Sequence, residues 1–250
     1  MFCPRLRLLP VFAAAAALAC PPWQPTAAAD FSPAQVQSIE SIVRDYLTKN
    51  PDVVIDILQA EKAKRDREAD VKTAALIAEH QREIYENPQT PVGGNPHGKV
   101  SLVEFFDYRC PYCKQSQPSL EKLTLEDPEL RLVYKEFPIL GPASVTAAHA
   151  ALAASRQGRY EAFHRAMMAA RGSIADDTVF RVAKSVGLDI DRLKRDMAAP
   201  EIAAAIEANK KLAEALNIDG TPAFVIGNRV VPGEIDLAAL KKLVADPAKN

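Results

Sequence analysis

The sequence predicts an α/β domain that carries a large helical insertion and is preceded by a helical extension. Three observations predict it. Residues 99–108 form a near-continuous apolar run that opens directly onto a helix. Ser144 to Leu216 is alanine-rich and helix-periodic. Ala223 to Val244 reads as strand, turn, strand and helix. A chain of 250 residues, 48% of them hydrophobic, supplies a sizeable core. Its 31 basic and 32 acidic residues give a formal charge of −1, and no basic tract offers an electrostatic case for nucleic acid.

Residues 1–29 read as an export signal. Arg5 and Arg7 form its positive region, Leu8 to Ala19 its apolar region, and Ala27-Ala28-Ala29 its small-residue cleavage site. Removing it deletes two arginines and no acid, leaving 29 basic and 32 acidic residues and a net charge of −3. The expected location is therefore the periplasm. A rival reading takes Ala17-Leu18-Ala19-Cys20 as a lipoprotein site with Cys20 acylated, but Ala stands where Leu should lead. With Cys3 and Cys20 inside the signal, Cys110 and Cys113 are the cysteines that remain. One adjacent pair cannot staple a chain this long, so an exported protein that keeps it is expected to use it.

Residues 30–91 read as a helical extension. Ser32-Pro33 and Asn50-Pro51 each place an N-cap before a proline at the first helical position, where its missing N–H costs nothing. Val36, Ile39, Val43, Tyr46 and Leu47 share a face of the first helix, and Val53, Val54, Ile57 and Leu58 begin the second. Glu61 to Asp70 is charged all round, as expected of an exposed helix held by charge pairs one turn apart. The extension reads either as a hairpin packed on the main domain or as an arm whose apolar patches bury against other copies. The second is favoured and predicts a homo-oligomer. Prolines and glycines from Asn87 to Gly98 mark a linker, and the catalytic domain is assigned to residues 92–250 with its insertion at about 142–216.

Cys110-Pro111-Tyr112-Cys113 follows the first strand at once and opens a helix. Leu130 to Phe137 is the next strand, and Thr221-Pro222 precedes the final hairpin, whose Gly227-Asn228 turn tolerates positive φ. This order is that of a thioredoxin fold with a helical insertion. The stretch from Lys99 to Val244 resembles the DsbA-like family of bacterial disulfide oxidoreductases, on Phe105 through Cys113 and on Gly220-Thr221-Pro222-Ala223-Phe224. Tyr112, Thr221 and the extension look most like the isomerase-type members and the suppressor-of-copper-sensitivity C proteins. DsbA proper usually has His and Val at those two places and lacks the extension.

Cys110 is expected to be the attacking thiol, because the free N–H groups and positive dipole end of a helix N-terminus favour its thiolate. Lowering a thiol pKa by two to five units takes roughly 3–7 kcal/mol, whereas an exposed helix dipole supplies about 0.3–1 kcal/mol. Directed hydrogen bonds from nearby amides and the Cys113 thiol must add to it, with Pro111 and Tyr112 setting the geometry. Cys113, one turn further in, is expected to resolve the mixed disulfide. The cofactor is then the pair's own disulfide, with no metal. His80, His97, His149 and His164 are scattered, and zinc wants four ligands. Cu(I) shared between two copies is the surviving metal reading.

Pro222 just before an apolar strand is accommodated by a cis Thr221–Pro222 bond, leaving the Thr221 backbone to pair with an extended substrate beside Cys110. A plain loop proline is the bland alternative. Strand alternation points Glu104 away from the Phe105 face. By resemblance it is the buried acid that exchanges protons with Cys113, with Lys135 on the neighbouring strand as its partner. An edge-exposed acid in an ordinary ion pair is the competing reading.

The expected activity is that of a periplasmic disulfide isomerase acting on unfolded or misoxidised proteins, served by a membrane redox partner. A monomeric DsbA-like oxidase and a copper-handling protein that uses the cysteine pair as ligands are the alternatives.

Overall fold

A computed structural model of the chain describes residues 31–245; the expected export signal and Cys20 lie outside them. The chain divides into two compact units that meet between Gln59 and Ala60.

In the first unit, α1 (Pro33–Lys49) begins with a capping box. The Gln35 amide donates to Ser32 Oγ, and the Ser32 amide donates back to Gln35 Oε1. No residue of α1 is buried, and Val36, Ile39, Ile42, Val43 and Tyr46 are all exposed. So are Val54, Ile57 and Leu58 at the start of α2 (Pro51–Glu79).

The second unit opens with the charged stretch, where Arg65 pairs with Glu61 at 2.9 Å and Lys62 with Asp66 at 2.6 Å. These pairs are exposed and one turn apart, so they add little to stability. Its sheet contains β1 (Val92–Gly94), β2 (Val100–Phe106), β3 (Leu130–Glu136), β4 (Ala223–Ile226) and β5 (Arg229–Pro232), in the order β1-β3-β2-β4-β5. β2 and β3 run parallel, and the other pairings are antiparallel. The linker expected at 87–98 thus contributes a strand: Val92 to Gly94 pair with Val133 to Arg131 at the sheet edge.

α3 (Pro111–Glu126) joins β2 to β3. The insertion between β3 and β4 is built of α4 (Pro142–Ser155), α5 (Tyr160–Ala169), α6 (Asp176–Ser185), α7 (Ile190–Met197) and α8 (Pro200–Ala215), and α9 (Leu237–Ala245) follows the hairpin. In the hairpin turn Gly227 alone takes positive φ, +56°, the pattern of a type II′ turn.

Strand alternation sorts the sheet residues into two cores. Leu102, Phe106, Leu132, Tyr134, Phe224 and Ile226 pack with residues of α3, α5 and α9 on one face. Val103, Phe105, Val133, Ala223 and Val225 pack on the other with Leu212, Ala213 and Leu216 around α8. Ile77 and Ile84 complete this second core, so the sheet is covered there by residues that precede the linker composition in sequence.

Candidate active site

The sheet topology assembles the site. β2 ends at Phe106 and leads to Cys110 four residues on, while the antiparallel β4 begins at Ala223 opposite Phe105. The end of one strand and the start of the other therefore meet, which brings Thr221 and Pro222 to Cys110 across 111 residues. The Thr221–Pro222 peptide is cis.

Cys110 is the N-cap of α3, with φ −71° and ψ 119°, and Pro111 occupies the first turn. Both sulfurs are free thiols. The Cys113 amide donates to Cys110 Sγ at 3.4 Å, satisfying one of the orphan donors of the helix start. Cys110 Sγ lies 3.1 Å from the Thr221 carbonyl oxygen, which accepts the S–H of the thiol. The Cys110 pKa is drawn down to about 6, well below that of an ordinary thiol. The Cys113 thiol is the largest cause, donating to the Cys110 sulfur; the Thr221 hydroxyl and the Cys113 and Tyr112 amides add to it, and burial opposes them. Cys110 is then mostly thiolate at pH 7.

Cys113 behaves in the opposite way. Its thiol is pushed far up, first by burial, then by its own hydrogen bond to Cys110 and by the charge of Glu104. Cys110 retains 3% exposure and Cys113 none, so an incoming sulfur meets Cys110 first. Tyr112, between them, is 56% exposed.

Glu104 lies on the same sheet face as Phe106, opposite that of Phe105, and is wholly buried. Neither carboxyl oxygen has a hydrogen-bond partner among the described residues. Burial and the Cys110 charge push it up to about 8. The expected pairing with Lys135 does not form. In the β2/β3 register Lys135 stands opposite Phe105, and Tyr134 opposite Glu104, so the lysine belongs to the other face. There its ammonium donates to the Glu83 carbonyl at 2.6 Å and to Thr90 Oγ1 at 3.1 Å, and burial draws it down to about 8.

Two further groups support the site, and the sequence pattern did not single them out. Asp107 accepts from the Ile139 and Leu140 amides through Oδ2, at 2.9 and 3.0 Å, and from the Arg109 amide and Ser144 hydroxyl through Oδ1. It ties the turn before Cys110 to the turn after β3. Beneath it, Tyr108 and Tyr160 both donate to the buried Glu136 Oε1, at 3.1 and 2.8 Å. His164 bridges Tyr108 and Gln117 at 3.2 Å on each ring nitrogen. Burial raises the Glu136 carboxyl well above its usual range and lowers His164 to about 3, so this cluster is a neutral polar core. An acid directly after the apolar strand was the available signal for Asp107; nothing local marks the Glu136 cluster.

A dithiol of this geometry can attack a disulfide through Cys110 and be oxidised in turn through Cys113. Among the described residues no group of three His, Cys, Asp or Glu side chains is placed to hold a metal.

Known proteins resemble this chain in sequence and in fold. A thioredoxin-like oxidoreductase from Silicibacter pomeroyi DSS-3 is 46% identical, its structure covering 68% of this chain and 98% of its own with a TM-score of 0.66. Proteus mirabilis ScsC, in a mutant whose linker is deleted, is 27% identical over 90% of this chain and 99% of its own, with a TM-score of 0.64. Among curated relatives, the Na(+)/H(+) antiporter NhaA 3 of Salinispora tropica is 30% identical over 155 residues. Those residues are 61% of this chain but 24% of the antiporter, so the chain spans about a quarter of that relative's length. The model of the DSBA-like thioredoxin domain matches residues 101–245, and the chain belongs to that family.

Proposed function

We propose that this chain is an exported thiol–disulfide oxidoreductase that reshuffles disulfides in misoxidised protein substrates. One observation carries the reading: a largely ionised Cys110 at a helix start, with the protonated thiol of Cys113 directly behind it.

The Cys110 thiolate attacks one sulfur of a substrate disulfide; that S–S bond breaks, a mixed disulfide forms, and the other substrate sulfur leaves as thiolate. In isomerisation a substrate thiolate attacks the mixed disulfide, restores the Cys110 thiolate, and no electrons are gained or lost. Otherwise Cys113 loses its proton, attacks Cys110 Sγ and releases a reduced substrate, and the pair has given up two electrons. A membrane redox partner of the pair would then return them.

Glu104 suits the proton step. Burial and the Cys110 thiolate both hold it protonated, and forming the mixed disulfide removes the second of these causes. Its carboxylate becomes easier to form just when Cys113 must be deprotonated.

The exposed apolar face of α1 supports assembly of several copies through the extension, which would let more than one Cys110 act on a single substrate. The leading sequence supports a periplasmic location.

Refolding of scrambled ribonuclease by the pure protein tests the activity, with Cys110→Ala as comparison; equal recovery would remove the reading. Light scattering of Ile39→Glu/Val43→Glu against wild type tests the arm, and an unchanged mass would show that α1 does not join copies.

A further inference from the structure

A cleft of about 510 Å³ opens beside the active-site cysteine, lined by residues that flank Cys110 and by the segment linking α5 to α6. Its lining includes three cationic side chains, Arg109, Lys114 and Arg171, and no acid. The chain as a whole has a net formal charge of −1, so this concentration of one sign is local.

None of these cations is paired with a carboxylate among the described residues. Lys114 Nζ donates to the Ala170 carbonyl at 2.5 Å and lies 3.5 Å from that of Met167, at the C-terminal end of α5. Arg109 donates through one guanidinium nitrogen to the Leu140 carbonyl. These bonds to neutral oxygens fix the two side chains without pairing them, and donors remain on both. Arg171 is exposed. Burial also draws the Lys114 ammonium down, a penalty that an anion in the cleft would offset.

Resting on the exchange reading above, the geometry points to a substrate class: the cleft of Arg109, Lys114 and Arg171 recognises acidic residues flanking the reacting cysteine of a protein substrate. Arg109 and Pro111 are the sequence neighbours of Cys110 and line the cleft, so carboxylates close to a cysteine that meets Cys110 would find complementary charge there. A cleft walled by protein concentrates such a field, and the attraction is screened by salt.

The test uses the reduced full chain and three blocked peptides. Each carries one cysteine activated as a 2-pyridyl disulfide, flanked on both sides by Glu, by Gln or by Lys. Cys110 and Cys113 pass two electrons to the peptide disulfide, giving the protein disulfide, the peptide thiol and 2-thiopyridone, whose release is followed by absorbance.

At low salt the Glu peptide should react about 5- to 10-fold faster than the Gln peptide, and the Lys peptide slower than both. Salt at about 0.5 M should reduce the Glu-to-Gln ratio to below about 2. Arg171→Glu should reduce it similarly at low salt, whereas the same charge change at Lys211, outside the cleft lining, should not. Three equal rates, or an Arg171→Glu protein with the full preference, would overturn the proposal while leaving disulfide exchange standing. No thiopyridone from any peptide would overturn the exchange reading and this one with it.

Discussion

The Thr221 carbonyl oxygen stands 3.1 Å from Cys110 Sγ, and the Thr221 hydroxyl also bears on that sulfur. The carbonyl favours the thiol and the hydroxyl favours the thiolate, so one residue from a distant part of the chain acts on both protonation states. The balance falls to the thiolate because the Cys113 thiol and two backbone amides add to the hydroxyl.

Alkylation of Cys110 by iodoacetamide should therefore follow a single ionisation with a midpoint near pH 6. Cys113→Ala removes the largest stabilising donor and should move that midpoint upward. A midpoint that stays in place would show that the Cys113 thiol is not the main cause.

Thr221→Val keeps the shape of the side chain and deletes its hydroxyl. A single hydrogen bond contributes about 0.5–1.5 kcal/mol, which corresponds to an upward shift of roughly 0.4–1 pH unit in the same profile. The carbonyl contact survives, so a fall in the midpoint would contradict the assignment of the hydroxyl as donor.

Glu104→Gln separates burial from function. The carboxyl titrates near 8 when folded and about 4.3 when unfolded, so the folded state binds its proton more tightly. The stability that the protonated form supplies is present below about pH 4 and is lost as pH rises through 8. Gln carries no titratable proton, so the variant's advantage over wild type in urea unfolding should grow by a few kcal/mol between pH 5 and pH 9. A difference independent of pH would mean that Glu104 is solvated or paired. In parallel, if Glu104 takes the Cys113 proton as proposed, release of substrate from the mixed disulfide should slow.

Asp107→Asn leaves one acceptor oxygen where the structure uses two for four donors. With bonds to a charged group worth about 1.5–3 kcal/mol each, a loss of about 2–4 kcal/mol in unfolding free energy is expected. The Ile139 and Leu140 amides should exchange their hydrogens faster than in wild type. Unchanged protection there would place the support of this turn elsewhere.

Short-range features of this protein were legible because their causes are short-range. Cys110 caps α3, Ser32 caps α1, Glu104 faces away from Phe105, and the hairpin turns at Gly227, all as local periodicity and capping chemistry predict. Harder cases were those in which composition disguised pairing. The glycines at 93 and 94 read as linker, yet they lie in an edge strand opposite Leu132 and Arg131, because a strand partnered on one side alone tolerates residues that a central strand would not.

By itself the sequence determined the adjacent cysteine pair, the helix start at which Cys110 sits and the succession of elements around it, since each depends on residues close together along the chain. Only the tertiary structure decided which oxygens reach Cys110, that Lys135 serves Glu83 and Thr90 instead of Glu104, and that Arg109, Lys114 and Arg171 share one cleft. Cross-strand register and the return of distant segments set those distances, and one residue of register is enough to send a side chain to the opposite face.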